Sequence, residues 1–258
     1  MIKKSGFLLL LAMLILSACV QNPPKKKAPI ENNPKVTGKL PQINHIVIVV
    51  EENHSQRSII GNPSAPYMNF LMSQGVNFMN YYAIEHPSQP NYLDLFSGSS
   101  QGVTDDKVPA TKFTTDNLAK GLLKKGYSFT GYSEDLPSIG FNGESNGDYA
   151  RKHNPWVNFS NVPTDANQPL ENFPVNFNKL PTVSFVIPNL RHDMHDGTIE
   201  EADQWLKENI DLYVQWAKTH NSLLIVTWDE DDGSQENKIP TFMVGPMVKK
   251  EQLNEEVN

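Results

Sequence analysis

Leu223-Leu224-Ile225-Val226-Thr227-Trp228-Asp229-Glu230-Asp231-Asp232-Gly233 is the stretch that decides how the chain is read. An apolar run with strand character feeds straight into four consecutive carboxylates. Such a cluster repels itself unless a metal or an oriented cationic group offsets the charge. The C-terminal edge of a strand is where α/β folds collect such ligands. The alternative is a solvated acidic loop, so the other segments are weighed by whether they share a site with this one.

Asn44-His45-Ile46-Val47-Ile48-Val49-Val50 is a β-branched run of the kind buried on both faces of a parallel sheet, and it ends in Glu51-Glu52-Asn53-His54-Ser55. Pro66 to Met72 reads as a short helix stopped by Gly75, and Val76 to Tyr82 as a second strand. That strand runs into Glu85-His86-Pro87-Ser88-Gln89-Pro90-Asn91-Tyr92, a turn entering another helix. Ser88 stands just ahead of Pro90, where orphan amide donors converge. Its hydroxyl suits a nucleophile or a helix N-cap, and capping is the commoner use of serine.

Thr115 to Lys125 has helical spacing, and Tyr127 to Tyr132 reads as a strand. From Ser133 to Leu180 the chain is rich in Asn, Pro and Gly, with isolated aromatics, and reads as a long binding loop or lid. Pro181 to Ile187 is a strand ending in Pro188-Asn189-Leu190-Arg191-His192-Asp193-Met194-His195-Asp196-Gly197. Ala202, Trp205, Leu206, Ile210, Tyr213, Trp216 and Ala217 then recur at helical spacing, as a core stripe does. Ile239 to Val244 is one more short strand. This alternation predicts an α/β fold with a mostly parallel central sheet flanked by helices. Four polar clusters each follow a predicted strand, which favours one shared site over scattered surface loops.

The N-terminus sets the compartment. A basic start (Lys3, Lys4), an apolar stretch from Phe7 to Leu16 and Leu16-Ser17-Ala18-Cys19 fit a lipoprotein signal, with an ordinary signal peptide as the alternative. The expected organisation is a signal peptide over 1–18, an anchored flexible linker over 19–42 and one catalytic domain over 43–258. Lipidated Cys19 would hold the domain at the outer face of a bacterial cell membrane. Cleavage there moves the formal charge from −7 to −9. The acidity argues against nucleic acid as a partner. No cysteine other than Cys19 exists to form a disulfide.

Glu52, Asn53, Asp229 and Glu230 offer hard oxygen ligands suited to Mg²⁺, Ca²⁺ or Mn²⁺, or Zn²⁺ if a histidine joins. Asp193, Asp231 and His195 extend the set, and His86 stays open. A divalent ion beside Ser88 would activate its hydroxyl for attack on phosphorus, with Asn91 or Asn53 bonding an equatorial oxygen. His195 is the candidate general acid. Direct attack by water held in the acidic loop is the other route. The chain has neither a phosphate loop of the nucleotide-hydrolysing type nor a Gly-x-Ser-x-Gly elbow.

Glu52-Asn53-His54-Ser55, His86-Pro87-Ser88-Gln89-Pro90-Asn91-Tyr92, Asp193-Met194-His195-Asp196 and Trp228-Asp229-Glu230-Asp231-Asp232-Gly233 together resemble the phosphoesterase family of acid phosphatases and non-specific phospholipases C. That family belongs to the alkaline-phosphatase-like superfamily, and the resemblance runs from Ile43 to about Val248. It implies metal-dependent hydrolysis of a small phosphorylated substrate. Ser88 would be the nucleophile, Glu52 and Asn53 would lie near the metal, and Asp229 with Glu230 or Asp231 would form the acidic pair. Pro90-Asn91-Tyr92, where the phospholipase branch carries Pro-Asn-Arg, leans toward the phosphatase branch. The family continues past a segment like Gly245-Pro246 into a terminal helix, so the domain is expected to be short at its C-terminus. A phospholipase C-like phosphodiesterase and an inactive surface lipoprotein that binds a phosphorylated ligand are the alternatives.

Overall fold

The computed structural model describes residues 42–258. The signal segment, Cys19 and all of the linker but Gln42 lie outside the described residues. In chain order the elements begin β1 (Ile46–Glu51), α1 (Gln56–Ile59), α2 (Pro66–Met72), β2 (Val76–Tyr81), α3 (Ser88–Ser97), α4 (Leu118–Lys124) and β3 (Phe129–Ser133). They continue with β4 (Ser145–Asn146), β5 (Tyr149–Ala150), β6 (Asn167–Pro169), β7 (Val183–Ile187), α5 (Ile199–Ala217), β8 (Leu223–Trp228), β9 (Thr241–Val244) and β10 (Glu251–Val257). Eight strands form one sheet in the order β10-β2-β9-β8-β1-β7-β3-β6.

β1 occupies the middle because both of its faces are apolar. Val47 and Val49 pack into the layer that holds α2 and α5, while Val50, with Ile46 and Ile48, packs into the layer that holds α3. Its neighbours β7 and β8 run parallel to it, β3 runs parallel to β7, and only β9 runs against its neighbours, β8 and β2. The sheet is therefore mostly parallel, with helices on both faces, as the sequence predicts.

Helix starts are fixed by local chemistry. At α5 the Thr198 hydroxyl accepts from the Glu201 amide and the Glu201 carboxylate accepts from the Thr198 amide, a reciprocal capping box. At α2, Ala65 offers no cap. Asp203 of α5 supplies it across the interface, accepting from the Tyr67 and Met68 amides at 3.0 and 2.7 Å.

One segment differs from the reading of the sequence, and a second holds an element that reading does not assign. The stretch 133–180 is not a free loop. It holds the β4–β5 hairpin and a series of 3-10 turns, and β6 adds a strand to the sheet edge. These pieces are two to four residues long, too short to show a period. Trp156 anchors the segment over Gly131 of β3, where an added Cβ would stand 2.1 Å from the indole. Residues 251–257 form β10, an exposed edge strand parallel to β2. Its Glu, Gln and Asn residues give no apolar signal, as suits an edge that faces water.

Candidate active site

Ser88 is the first residue of α3, yet its hydroxyl caps no backbone amide. It donates instead toward two carboxylates, Glu52 Oε2 at 3.1 Å and Glu230 Oε1 at 3.2 Å. The capping use is thereby displaced by a contact with the ends of β1 and β8. Those strands lie side by side in register, Glu51 opposite Trp228, so the residues that follow them emerge together. Asn53 takes a left-handed backbone at φ 50°, which asparagine tolerates, and its amide donates to Asp229 Oδ1 at 3.2 Å. Its side chain makes no hydrogen bond among the described residues.

The irregular segment adds His153, a residue with no signal in its local sequence. It is buried between Glu52 and Asp193: Nε2 stands 3.1 Å from Glu52 Oε1, and Nδ1 3.2 Å from Asp193 Oδ2. Tyr92 of α3 stacks on its ring at 5.0 Å. Burial lowers the imidazole's proton affinity, and the Lys152 charge lowers it further. A neutral ring carries one N–H, so it cannot donate to both carboxylates.

Burial raises the Glu52 and Asp229 carboxyls well above the usual range, reinforced by Asp229 at Glu52 and by Glu230 at Asp229. Burial also pushes Asp193 up to about 7. Glu52 Oε1, His153 Nε2, Asp193 Oδ2 and Asp229 Oδ2 are all buried without a hydrogen-bond partner. Orphaned polar atoms gathered in this way are what a bound cation would satisfy. Donor atoms of Glu52, His153 and Asp193 lie within 4.8 Å of one another. This mixed oxygen and nitrogen set fits a divalent ion of the zinc or manganese kind.

The acidic run divides by role. Asp229 and Glu230 face the cluster. Asp231 accepts from the Gly233 and Gln235 amides and so braces the turn. His86 links the two roles, with Nδ1 2.6 Å from Glu230 Oε2 and Nε2 3.6 Å from Asp231 Oδ1. Asn91, the candidate donor to a phosphoryl oxygen, has its side chain engaged by the backbone. Its side chain accepts from the Ile84 and Glu85 amides and donates to the Glu85 and Pro87 carbonyls, tying down the loop that carries Ser88.

His195 lies beside His153, with ring centroids 6.0 Å apart. Its Nε2 is 3.1 Å from Lys152 Nζ, and its Nδ1 is 2.7 Å from Asp196 Oδ1. An ammonium only donates, so Nε2 accepts and Nδ1 carries the proton. A cavity of about 310 Å³ runs along α3 between Tyr82, Ile84, Leu95 and Asp229.

Fold and cluster together define an alkaline-phosphatase-like α/β protein with an acidic metal-type centre. A protein of the alkaline phosphatase superfamily from Vibrio parahaemolyticus superposes with a TM-score of 0.58 over 83% of this chain and 62% of that one, at 15% identity. The chain belongs to the Phosphoesterase family, whose model matches residues 62–258. It is 52% identical over 221 residues to a phosphatidylinositol-3-phosphatase of Mycobacterium tuberculosis, covering 85% of this chain and 74% of that protein. A probable acid phosphatase of Kluyveromyces lactis is 31% identical over 79% of the chain, which spans about half (52%) of that protein's length.

Proposed function

We propose that the chain hydrolyses phosphomonoesters through a phosphoseryl intermediate on Ser88. The observation that carries this reading is the Ser88 hydroxyl at a helix start, aimed at two carboxylates of a buried acidic cluster. Glu52, His153, Asp193 and Asp229 are the residues that would hold a divalent ion. When bound, the ion supplies positive charge against the phosphoryl oxygens and eases ionisation of the hydroxyl.

Ser88 Oγ attacks phosphorus as its proton passes to an adjoining carboxylate, Glu52 or Glu230. The Oγ–P bond forms while the bond from phosphorus to the ester oxygen breaks. The departing oxygen takes the proton that the carboxylate received from Ser88, since His195 Nε2 is engaged as an acceptor by Lys152. Water then attacks the phosphoserine, frees phosphate and returns the hydroxyl. The cavity along α3 offers room for the organic part of the substrate. Names of the relatives, an inositol-lipid phosphatase and an acid phosphatase, support a monoester. The lipoprotein signal ending at Cys19 supports work at the outer membrane face. That location is tested by comparing the membrane partition of the protein with that of Cys19→Ser.

The catalytic test is phosphate release from a chromogenic monoester after chelation and re-addition of single divalent metals, with Ser88→Ala alongside. Metal-restored turnover that vanishes in Ser88→Ala is expected. Turnover surviving in Ser88→Ala transfers attack to water, and no turnover with any metal defeats the enzymatic reading.

A further inference from the structure

Lys152 stands beside the cluster without bonding to its carboxylates: its ammonium contacts His195, next to His153, and Asp106. Its side chain is 17% exposed. Nζ donates to His195 Nε2 at 3.1 Å and to Asp106 Oδ2 at 3.2 Å. The other oxygen of Asp106 accepts from the Gln89 amide at 3.0 Å, one residue after Ser88. A single carboxylate thus bridges the first turn of α3 and the ammonium, which holds Lys152 on the Ser88 side of the site. The Lys152 charge is also felt at Glu52, His153 and Asp193. An ammonium has three N–H donors, and two are engaged here, which leaves one for a ligand.

We propose that Lys152 binds a non-bridging oxygen of the phosphoryl group and selects dianionic monoesters over monoanionic diesters. The inference rests on the phosphomonoesterase reading and deepens it. A monoester carries nearly two negative charges at neutral pH, whereas a diester carries one. The surrounding carboxylates repel both, so a fixed ammonium at the added charge is what separates them. Asp106 and His195 are positioning residues that hold Nζ in place.

The test is calorimetric titration of the full metal-loaded chain with inorganic phosphate and with dimethyl phosphate, for wild type, Lys152→Met and Lys152→Arg. Metal content is checked in each. The loss of one charge-assisted bond is expected to weaken phosphate binding to Lys152→Met at least about tenfold. Dimethyl phosphate should weaken by less than about threefold, and Lys152→Arg should keep most of the phosphate affinity, since charge is the requirement. Equal losses for the two anions overturn the proposal, as does phosphate binding unchanged in Lys152→Met or undetectable in wild type. Binding is read without turnover. Lys152-dependent phosphate binding with no hydrolysis would therefore fail the enzymatic reading alone.

Discussion

His153 Nε2 and Glu52 Oε1 face each other at 3.1 Å, both buried and neither with a hydrogen-bond partner. The opposite nitrogen of the same ring faces Asp193 at 3.2 Å. One neutral imidazole between two carboxylates donates to only one of them, so the arrangement suits a bound cation. The first prediction concerns this triangle. His153→Ala is expected to lower divalent-metal affinity by at least about 100-fold, beyond the usual cost of losing an outer-shell partner. Competition against a chromophoric chelator measures it, and an unchanged affinity would remove His153 from the ligand set.

Metal removal should also be visible in stability. Carboxyls raised by burial and by one another make the unloaded cluster costly, so an ion that binds only the folded state stabilises it by mass action. At a free metal concentration of 100 Kd the gain is about 2.7 kcal/mol. The thermal midpoint should therefore climb with added metal and drop on chelation. The same shift should appear in Ser88→Ala, because its carboxylates remain. A midpoint indifferent to metal would argue against the site.

How much of this was legible in the sequence depends on the kind of signal each part carries. β1, β7 and β8 show because their runs are apolar on both faces, and α5 shows because its stripe holds helical spacing from Ala202 to Ala217. Glu52, Ser88, Asp193 and Asp229 could be named because each lies at or just beyond the end of a recognisable element. His153 and Lys152 could not. They sit in a segment ordered by contacts with distant residues, such as Trp156 on Gly131 and Tyr92 on His153, and no local pattern encodes such contacts. The roles within Asp229-Glu230-Asp231 were likewise hidden, because they depend on which oxygens the turn at Gly233 and Gln235 engages.

Asn91 supplies a prediction that separates support from chemistry. Its side chain makes four bonds to the backbone of residues 84–87 and none to the cluster. Asn91→Leu takes the acceptor from two half-buried or exposed amides, at about 1 kcal/mol for each hydrogen bond lost. Urea unfolding should show a loss of that order. Turnover should fall through kcat, because Ser88 is misplaced, while metal affinity stays within about threefold of wild type. Unaltered stability would show that the loop does not depend on Asn91.

The last prediction concerns acid. Glu201 accepts from the Thr198 amide and hydroxyl and pairs with Arg191, and these contacts lower its carboxyl to about 2, the backbone bond first. The folded value lies below the ordinary value of 4.5, so the stabilisation is fully present above that value. It is lost as pH falls toward about 2, where the folded carboxylate itself takes up a proton. Glu201→Gln keeps an acceptor for the capping box but removes the charge at the helix N-terminus and the pairing with Arg191. Wild type should therefore exceed Glu201→Gln in thermal midpoint at pH 6, and the gap should close between pH 4.5 and 2. Running both proteins in chelator removes the metal's own pH dependence, and a gap that stayed constant across that window would show that the charge on Glu201 contributes nothing to α5.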